Sequence, residues 1–313
     1  MKVSLIKPPA IQSITRGAGF YGENLINSLK EFPEIEIVNQ GQDLIHYLYF
    51  DPFFLTLPLI RNHKTVVTVF DLVPLVLPKL YPPGIRGNIK WQIQKNILKT
   101  VDHIITISES AKKDIVKKIG IDPEKITVIY LAAGPLCKKI ADIKKEDFVL
   151  YIGDIDPNKN LSTLFKAMVL LKEEKLVMVG KALAESPEIK KEIEDLGISN
   201  RVTLTGFVDE AEKVKLLNKA KVYVQPSLYE GFGLPVLEAL SCGTPVICGR
   251  NSSLVEIGGD AVTYANIEDV DDLVLKIKNI KGDPAVGGMT QAAKFSWEKT
   301  AQETIKVYEK VLA

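Results

Sequence analysis

The second half of the chain contains the segment Glu230-Gly231-Phe232-Gly233-Leu234-Pro235-Val236-Leu237-Glu238, in which seven residues separate two glutamates. An apolar run precedes the segment, and a glycine followed by a second apolar run comes after it. This order predicts a strand, a loop, a helix that begins at Pro235 and another strand, because proline is accepted at the first helical position and glycine commonly ends a helix. Gly231 and Gly233 allow the backbone to approach a ligand closely, and the N–H groups at the helix start predict an anion site.

The two carboxylates of this segment are predicted to face the same crevice. Glu230 falls in the loop and Glu238 in the first turns of the helix, at the carboxyl end of the sheet. The presence of a carboxylate beside a phosphate site requires an explanation, because like charges repel. Acidic residues in dinucleotide-binding folds accept hydrogen bonds from ribose hydroxyls, so the pattern favours a sugar-phosphate or sugar-nucleotide ligand. The alternative is an ordinary loop with two surface glutamates, one of which caps the helix.

The stretch 225–246 resembles the E-x7-E region of family 4 retaining glycosyltransferases, which are also called glycosyl transferases group 1. The resemblance rests on Pro-Ser before the first glutamate, the run Glu-Gly-Phe-Gly-Leu-Pro, the pair Glu-Ala and the run Gly-Thr-Pro-Val. It extends over nearly the whole chain and is strongest from Tyr151 to Tyr264. It implies an α/β protein of GT-B architecture, in which two doubly wound Rossmann-like domains face a central cleft. The implied reaction moves a sugar from a nucleotide-diphosphate donor to an acceptor hydroxyl and retains the anomeric configuration.

The resemblance also implies roles for the residues of this segment. Glu238 would hold the donor ribose, and Glu230 would hydrogen-bond the transferred sugar. The residues that would present backbone N–H groups to the departing diphosphate are Gly231, Phe232, Gly233 and Leu234.

A second loop, 153–160, follows the first predicted strand of the second domain. It begins with Gly153 and contains Lys159. A positive side chain near a helix start pairs with a diphosphate and stabilises the charge that develops as the sugar–phosphate bond breaks. Related enzymes commonly have an arginine in this loop, but the matching positions here hold Asp154 and Asn158, which puts the strength of phosphate binding in doubt. Further along, the resemblance places the backbone near Phe207 against the nucleotide base.

Asp154 and Asp156 also spell the Asp-x-Asp pattern that holds a metal ion in another class of sugar transferases. A metal ion would neutralise a diphosphate by a different route. The resemblance favours an enzyme without a metal requirement and without a prosthetic group, in which the nucleotide-diphosphate sugar enters as a substrate. The metal hypothesis therefore remains the alternative.

The composition is that of an ordinary globular protein. The chain has 313 residues, of which 46% are hydrophobic and 25% charged, and its net charge of +1 argues against a nucleic-acid partner. The first nine residues are too short and too interrupted for a signal peptide, and no apolar run has membrane-spanning length. Three cysteines without metal-ligand spacing predict reduced thiols. We expect a cytoplasmic protein.

Strand-like runs alternate with helical patterns and predict parallel α/β units. We expect a first, acceptor-binding domain over residues 1–140 and a second, nucleotide-sugar-binding domain over residues 147–295, with a lysine-rich linker at 134–147. Residues 296–313 carry apolar side chains at helical spacing, and the resemblance implies that this helix packs back on the first domain. The predicted strands are 2–6, 35–38, 44–47, 65–70, 103–107, 127–129, 148–152, 176–179, 202–205, 222–225, 245–248 and 261–264.

The first domain offers two further candidates. The loop Thr15-Arg16-Gly17-Ala18-Gly19 follows the first strand, and the resemblance favours a role for Gly17 and Gly19 in backbone access near the reacting centre over a plain turn. Related enzymes usually have His-Asp at the end of the strand that here ends in Phe70-Asp71. A phenyl ring packs on a sugar face but does not hydrogen-bond. Asp71 either contacts a hydroxyl or caps the next turn.

A basic helix is predicted at 85–100, where four basic residues accompany isoleucines and a tryptophan. With the apolar residues before it, the stretch 72–100 makes peripheral contact with an anionic membrane one hypothesis, and an ordinary solvated helix face the other. The acceptor would be a glycan, a lipid-linked glycan or a small molecule, and contact would be at the inner face of the membrane. The resemblance favours mannose or glucose as the transferred hexose. A catalytically weak nucleotide-sugar-binding protein and a sugar-nucleotide epimerase are the rival functions.

Overall fold

The computed structural model describes residues 1–7, 17–280 and 285–313 and divides the chain into two compact units. Unit 1 comprises Met1–Ala132 together with Phe295–Ala313, and unit 2 comprises Ala133–Lys294. Each unit contains one six-stranded parallel sheet with helices packed against it. This is the α/β fold class expected from the alternation of strand and helix patterns.

The strands are β1 Lys2–Ile6, β2 Glu36–Ile37, β3 Leu44–Tyr47, β4 Lys64–Val69, β5 His103–Thr106, β6 Ile126–Val128, β7 Glu146–Ile152, β8 Lys175–Val179, β9 Val202–Gly206, β10 Ala220–Gln225, β11 Val246–Gly249 and β12 Thr263–Ala265. The helices are α1 Ala18–Leu29, α2 Val73–Val76, α3 Gly84–Lys99, α4 Glu109–Ile119, α5 Leu161–Leu170, α6 Lys181–Glu185, α7 Pro187–Asp195, α8 Glu210–Lys219, α9 Leu234–Ser241, α10 Leu254–Gly258, α11 Val270–Asn279, α12 Ala285–Ala292 and α13 Trp297–Leu312.

Every strand predicted from the sequence is present, and most boundaries shift by one or two residues. The strands read as continuous apolar runs because helices cover both faces of a parallel sheet, and β4 and β7 accordingly bury five consecutive side chains each. The predicted start of α9 was wrong by one residue, because Leu234 rather than Pro235 is its first residue. The residues Pro157–Lys159 form a separate 3₁₀ turn before α5.

The two sheets have the strand orders of known doubly wound folds. In unit 1 the order is β2-β1-β3-β4-β5-β6, and in unit 2 it is β12-β11-β10-β7-β8-β9. Counted from its own first strand, unit 2 has the order 3-2-1-4-5-6 of the dinucleotide-binding fold. The strand order reverses between β7 and β10, and ligands of open α/β sheets bind outside the carboxyl ends of the strands at such a point.

The predicted linker lies on unit 2. The Ile140 N–H donates to Asn218 Oδ1 at 2.8 Å, and Asn218 Nδ2 donates to the Lys138 carbonyl at 3.1 Å. Asn218 is buried on α8. The division between the units therefore falls at Ala132 and Ala133, before the lysine-rich stretch.

The C-terminal helix α13 belongs to unit 1 and is tied to its sheet by a buried polar chain. Tyr308 of α13 lies 2.7 Å from His46 Nδ1, and His46 Nε2 lies 2.7 Å from Thr68 Oγ1, which is 2.9 Å from the Tyr21 hydroxyl. All four side chains are inaccessible or nearly so. Burial lowers the pKa of His46 to about 3, so the imidazole is neutral in the folded protein.

We expect this histidine to make the protein less stable in mild acid. The pKa of His46 is lower in the folded than in the unfolded chain, so the unfolded chain binds the proton first as the pH falls. The free energy of unfolding is therefore highest above pH 6.5 and decreases as the pH falls, by about 2 kcal/mol between pH 7 and pH 5. Urea unfolding at both pH values should show this loss in the wild type and a smaller loss in His46→Gln. His63→Gln, at an exposed position, is the matched control and should follow the wild type.

Candidate active site

Polar side chains of unit 2 converge where β7 and β10 end, at the point where the strand order of the sheet reverses. Lys159 follows β7 and Glu230 follows β10, and Lys159 Nζ lies 2.8 Å from Glu230 Oε1 and 3.0 Å from Oε2. The side chains are only 19% and 11% exposed, so the ion pair is shielded from water while its edge stays accessible. The structure thus brings together two residues that lie 71 positions apart in the sequence.

Glu230 is held by more than the lysine. Its Oε1 also accepts from Gln225 Nε2 at 2.8 Å and from Ser227 Oγ at 2.6 Å. Its backbone N–H donates to Ser252 Oγ at 2.9 Å. A carboxylate fixed by several donors keeps one orientation, and it fixes the ammonium group of Lys159 in turn.

Asn158 joins the loops that carry these two residues. Its Nδ2 donates to the Tyr229 carbonyl at 2.8 Å, and its own carbonyl accepts from the Leu228 N–H at 2.8 Å. The side chain is only 5% exposed. The position where related enzymes commonly have arginine therefore holds an asparagine that cross-links the loops, and it presents no charge to a ligand.

The start of α9 is shaped by Gly233 and braced by Ser253. Gly233 has φ +97°, a left-handed conformation that strongly favours glycine, and a Cβ atom there would lie 2.8 Å from Leu254 Cδ2. Ser253 Oγ lies 2.9 Å from the carbonyls of both Glu230 and Phe232. The loop after Glu230 is thus folded tightly onto the helix start, where backbone N–H groups attract anions.

Gly153 follows β7 and leaves no room for a side chain. A Cβ atom at this position would lie 2.6 Å from the hydroxyl of Tyr151, which donates to the Asp154 carbonyl at 3.0 Å. The Gly153 N–H donates to the Val179 carbonyl at the end of β8. Phe207 follows β9, three strands from β10, and its side chain is 58% exposed.

Glu238 lies in the second turn of α9 and is paired with a lysine of α8. Lys213 Nζ lies 2.7 Å from Glu238 Oε1 and 2.9 Å from Glu210 Oε1. Glu238 is almost completely buried, at 3% side-chain exposure. Burial by itself lowers the pKa of Lys213, but the two glutamates outweigh burial and raise that pKa, so the lysine stays charged.

The pair Asp154 and Asp156 does not gather a third metal-binding group among the described residues. Burial raises the pKa of Asp156, Lys159 lowers it, and Asp154 and Glu230 raise it again, with a net increase. Within the same part of the chain, three potential ligands converge at Cys137, Glu210 and Glu238. There the ammonium group of Lys213 already bridges the two carboxylates.

Comparison with known families identifies the chain. The family model for glycosyl transferases group 1 matches residues 136–303, and the model for glycosyltransferase family 4 matches residues 12–132. The first match covers more than half of the sequence. This chain belongs to the glycosyl transferases group 1. The family resemblance inferred from residues 225–246 is confirmed, and the protein is a glycosyltransferase.

Two curated relatives illustrate the similarity. The O-antigen chain mannosyltransferase B of Escherichia coli is 29% identical over 294 residues, which cover 86% of this chain and 75% of the relative. The serotype-specific mannosyltransferase WbdA of Escherichia coli is 28% identical, and the match covers 89% of this chain but 38% of WbdA.

Solved structures share the fold. Sucrose-phosphate synthase from Thermosynechococcus elongatus superposes with a TM-score of 0.84 at 20% identity, with 99% of each chain covered. Anabaena Alr3699/HepE, in complex with UDP and glucose, superposes with a TM-score of 0.78 at 16% identity over 99% of this chain and 100% of that one. The GT-B architecture expected from the sequence is confirmed.

The remaining candidate residues of the glycosyltransferase lie in unit 1. Gly17, with φ +57°, is the N-cap residue of α1, and Gly19 lies inside that helix. Thr15 and Arg16 fall outside the described residues. Asp71 Oδ1 accepts from the Val73 N–H at 3.0 Å. Of the two roles considered for Asp71, contact with a hydroxyl or capping of the next turn, this hydrogen bond is the capping one.

Phe70 packs among aromatic side chains. Its ring meets that of Tyr21 edge-on at 5.2 Å between centroids and that of Tyr49 at 5.9 Å. Phe70 occupies the position where related enzymes usually have histidine. It packs there against two other aromatic rings.

Sequence reasoning missed the residues that support the charged pairs. Lys213 had no motif around it, and Gln225 was given no role beyond ending a strand and beginning the stretch that resembles the family. Ser252 and Ser253 lie beyond the stretch that carries the family resemblance. Their partners are 5 to 25 residues away in the sequence, and only the sheet order places them in contact.

Proposed function

We propose that this glycosyltransferase transfers a hexose from a nucleotide-diphosphate sugar to an acceptor hydroxyl with retention of anomeric configuration. The observation that carries the proposal is the shielded pair Lys159–Glu230, which lies beside the glycine-shaped start of α9 at the carboxyl edge of the unit 2 sheet. A positive charge and helix N–H groups directed at one place are suited to a diphosphate leaving group.

In this proposal Lys159 neutralises the departing diphosphate, and Glu230 positions Lys159. The sequence interpretation gave Glu230 a hydrogen bond to the transferred sugar. Its Oε1 already accepts from Lys159, Gln225 and Ser227. A role through the lysine therefore fits these contacts better than direct contact with the sugar. The N–H groups of Gly231, Phe232, Gly233 and Leu234 would share the diphosphate charge.

Retention is proposed to follow from attack on the same face of the sugar that the diphosphate leaves. The bond between C1 and the phosphate oxygen breaks, the bond between C1 and the acceptor oxygen forms, and the acceptor proton passes to the phosphate oxygen. Oε1 of Glu230 already accepts hydrogen bonds from Lys159 and Ser227, so this carboxylate is poorly placed to form a covalent sugar intermediate.

Glu238 is proposed to hold the donor ribose, with the backbone near Phe207 beside the base. Lys213 pairs with Glu238 and orients its side chain, which suits a carboxylate that accepts hydrogen bonds from two hydroxyls. The first domain is proposed to bind the acceptor, with Asp71, Gly17 and Gly19 near it.

Mannose is the favoured hexose, because the two curated relatives described above are named mannosyltransferases, and glucose is the second. A glycan acceptor, free or lipid-linked, is favoured for the same reason. We keep the expectation of a cytoplasmic enzyme that works at the inner face of the membrane. Within the described residues, no helix combines the length and apolar character needed to cross a bilayer.

The test is a transfer assay with a panel of GDP, UDP, ADP and dTDP sugars and simple mannosides and glucosides as acceptors. Release of a nucleoside diphosphate that increases with acceptor supports transfer, and the anomeric coupling constant of the product reports retention. An inverted product would contradict the proposed mechanism. Conversion of the donor sugar without acceptor would favour the epimerase alternative, and binding without turnover would favour the weakly active binding protein.

We expect Lys213→Met to weaken donor binding more than turnover. The substitution leaves Glu238 buried beside Glu210 without its cation, and loss of one partner of a buried ion pair costs about 3 kcal/mol of stability. The KM for the donor should rise by about tenfold, which corresponds to 1.4 kcal/mol of binding. Lys215→Met on the same helix is the control. Lys215 Nζ lies 3.5 Å from Glu212 Oε2, and this ion pair is exposed. Equal donor KM values in the two variants would argue against a role for Lys213 at the ribose.

A further inference from the structure

Unit 1 exposes a continuous apolar surface, which we call the loop–helix face. It consists of side chains from the loop before β4 and from α3: Phe54, Leu55, Leu59, Ile60, Ile85, Ile89 and Ile93. Their exposure ranges from 36% for Ile93 to 82% for Ile85. All the large apolar side chains that the described part of unit 1 exposes lie between Phe54 and Ile93.

Helix α3 has apolar side chains on two sides, although a surface helix needs only one apolar side to pack on the core. Trp91, Ile97 and Leu98 are buried and pack into the core of unit 1. The isoleucines at 85, 89 and 93 are spaced four residues apart, so they line another side of the helix, and that side is exposed. A stripe of this kind has no role in the core and marks a contact surface.

The loop is fixed against the helix. Lys90 Nζ lies 5.2 Å from the centre of the Phe54 ring. Gln94 Oε1 of α3 accepts from Thr56 Oγ1 at 3.1 Å and from the Leu57 N–H at 3.3 Å. The exposed side chains of loop and helix therefore belong to one surface.

The segment that carries this surface is positively charged. Between residues 51 and 102 the chain has seven basic residues, Arg61, Lys64, Lys79, Arg86, Lys90, Lys95 and Lys99, and three acidic ones, Asp51, Asp71 and Asp102. This segment has a formal charge of +4, although the whole chain has +1. Of the seven, Lys64 is paired with Asp102.

We propose that the loop–helix face binds the surface of an anionic phospholipid bilayer. The apolar side chains would enter the boundary between headgroups and acyl chains, and the lysines and arginines would lie at the phosphates. Both kinds of group are required, because apolar burial alone or a few charges alone give weak and reversible binding. The sequence had suggested contact through 72–100. Leu72 and Val73 are buried, and the contact surface comes instead from the loop at 54–60 and the outer side of α3.

The inference rests on unit 1 alone and does not depend on the proposed reaction. Its test is co-sedimentation of the full chain with vesicles of phosphatidylcholine, with and without 30% phosphatidylglycerol. We expect binding to the anionic vesicles, with little binding to the neutral ones and a strong decrease at high salt. Ile85→Ser/Ile89→Ser should reduce the partition coefficient by more than about tenfold, and Arg86→Ala should reduce it by about fivefold.

Leu170→Ser/Leu275→Ser is the matched control, because these two leucines are exposed on unit 2. This variant should bind vesicles like the wild type, and melting curves should show that all the variants are folded. Equal binding to neutral and anionic vesicles, or unchanged binding of Ile85→Ser/Ile89→Ser, would overturn the proposal. A dimer in sedimentation velocity that the double substitution dissociates, without vesicle binding, would assign the face to a second copy of the chain and would equally overturn it.

Discussion

Replacement of Lys159 by methionine is expected to lower kcat for sugar transfer by about 10²–10³, the usual consequence of removing one group that stabilises developing charge. The side chain is shielded, its charge is directed by Glu230, and it lies at the edge where the diphosphate is proposed to leave. Because the diphosphate gains charge only as the bond breaks, kcat should fall more than the affinity for the donor. Steady-state kinetics with the preferred donor measure both quantities.

Two variants make this expectation specific. Lys159→Arg keeps the positive charge and should recover part of the activity, whereas Lys166→Met, at an exposed position on α5, should leave kcat unchanged. If Glu230 acts through Lys159, then Glu230→Gln should lower kcat, but Lys159→Met/Glu230→Gln should be little worse than Lys159→Met alone. If the two losses are fully additive, Glu230 acts independently of Lys159, through a separate contact with the sugar.

Substitution of Gly233 by alanine is expected to abolish donor binding and to destabilise unit 2. Gly233 has φ +97°, and the new Cβ atom would lie 2.8 Å from Leu254 Cδ2. The backbone strain alone costs about 1–2 kcal/mol. Relief of the contact would shift the buried Leu254 side chain, and relief of the backbone strain would move the start of α9, which carries the N–H groups proposed to bind the diphosphate. Urea unfolding and a titration with nucleoside diphosphates measure the two effects.

Gly197→Ala provides the matched control for this experiment. Gly197 has φ +67° in the same unit, and a Cβ atom there would meet nothing within 4 Å. It should therefore show the cost of the left-handed backbone without any loss of donor binding. If both alanine variants bind nucleotides equally well, the start of α9 is not the diphosphate site.

The sequence was sufficient for the fold because its signals are local. The alternation of strands and helices and the glycine loop before α9 depend on neighbours a few residues apart. The same holds for the prediction that Glu230 and Glu238 lie at the carboxyl end of one strand. Helix starts near proline were less reliable, because a 3₁₀ turn and the first turn of an α-helix share the same sequence preferences.

The partners of the charged groups required the three-dimensional structure. Nothing local marks Lys213 as the partner of Glu238, or Asn158 as the residue that joins two loops. The outward side of α3 was equally hidden, because a helix with apolar residues on two sides does not reveal which side the core will cover. Long-range contacts of this kind depend on sheet order, which periodicity alone does not specify.

The most direct measurement is calorimetric titration of the wild type and of Glu238→Gln with GDP, UDP, ADP and dTDP and with their hexose conjugates. The proposed donor site predicts that one base binds preferentially and that Glu238→Gln weakens this binding by at least about tenfold, the equivalent of 1.4 kcal/mol. It also predicts that the variant remains folded, because glutamine preserves the volume of the side chain. If no nucleoside diphosphate or sugar conjugate binds at millimolar concentration, or if Glu238→Gln binds as tightly as the wild type, then the carboxyl edge of unit 2 is not the donor site.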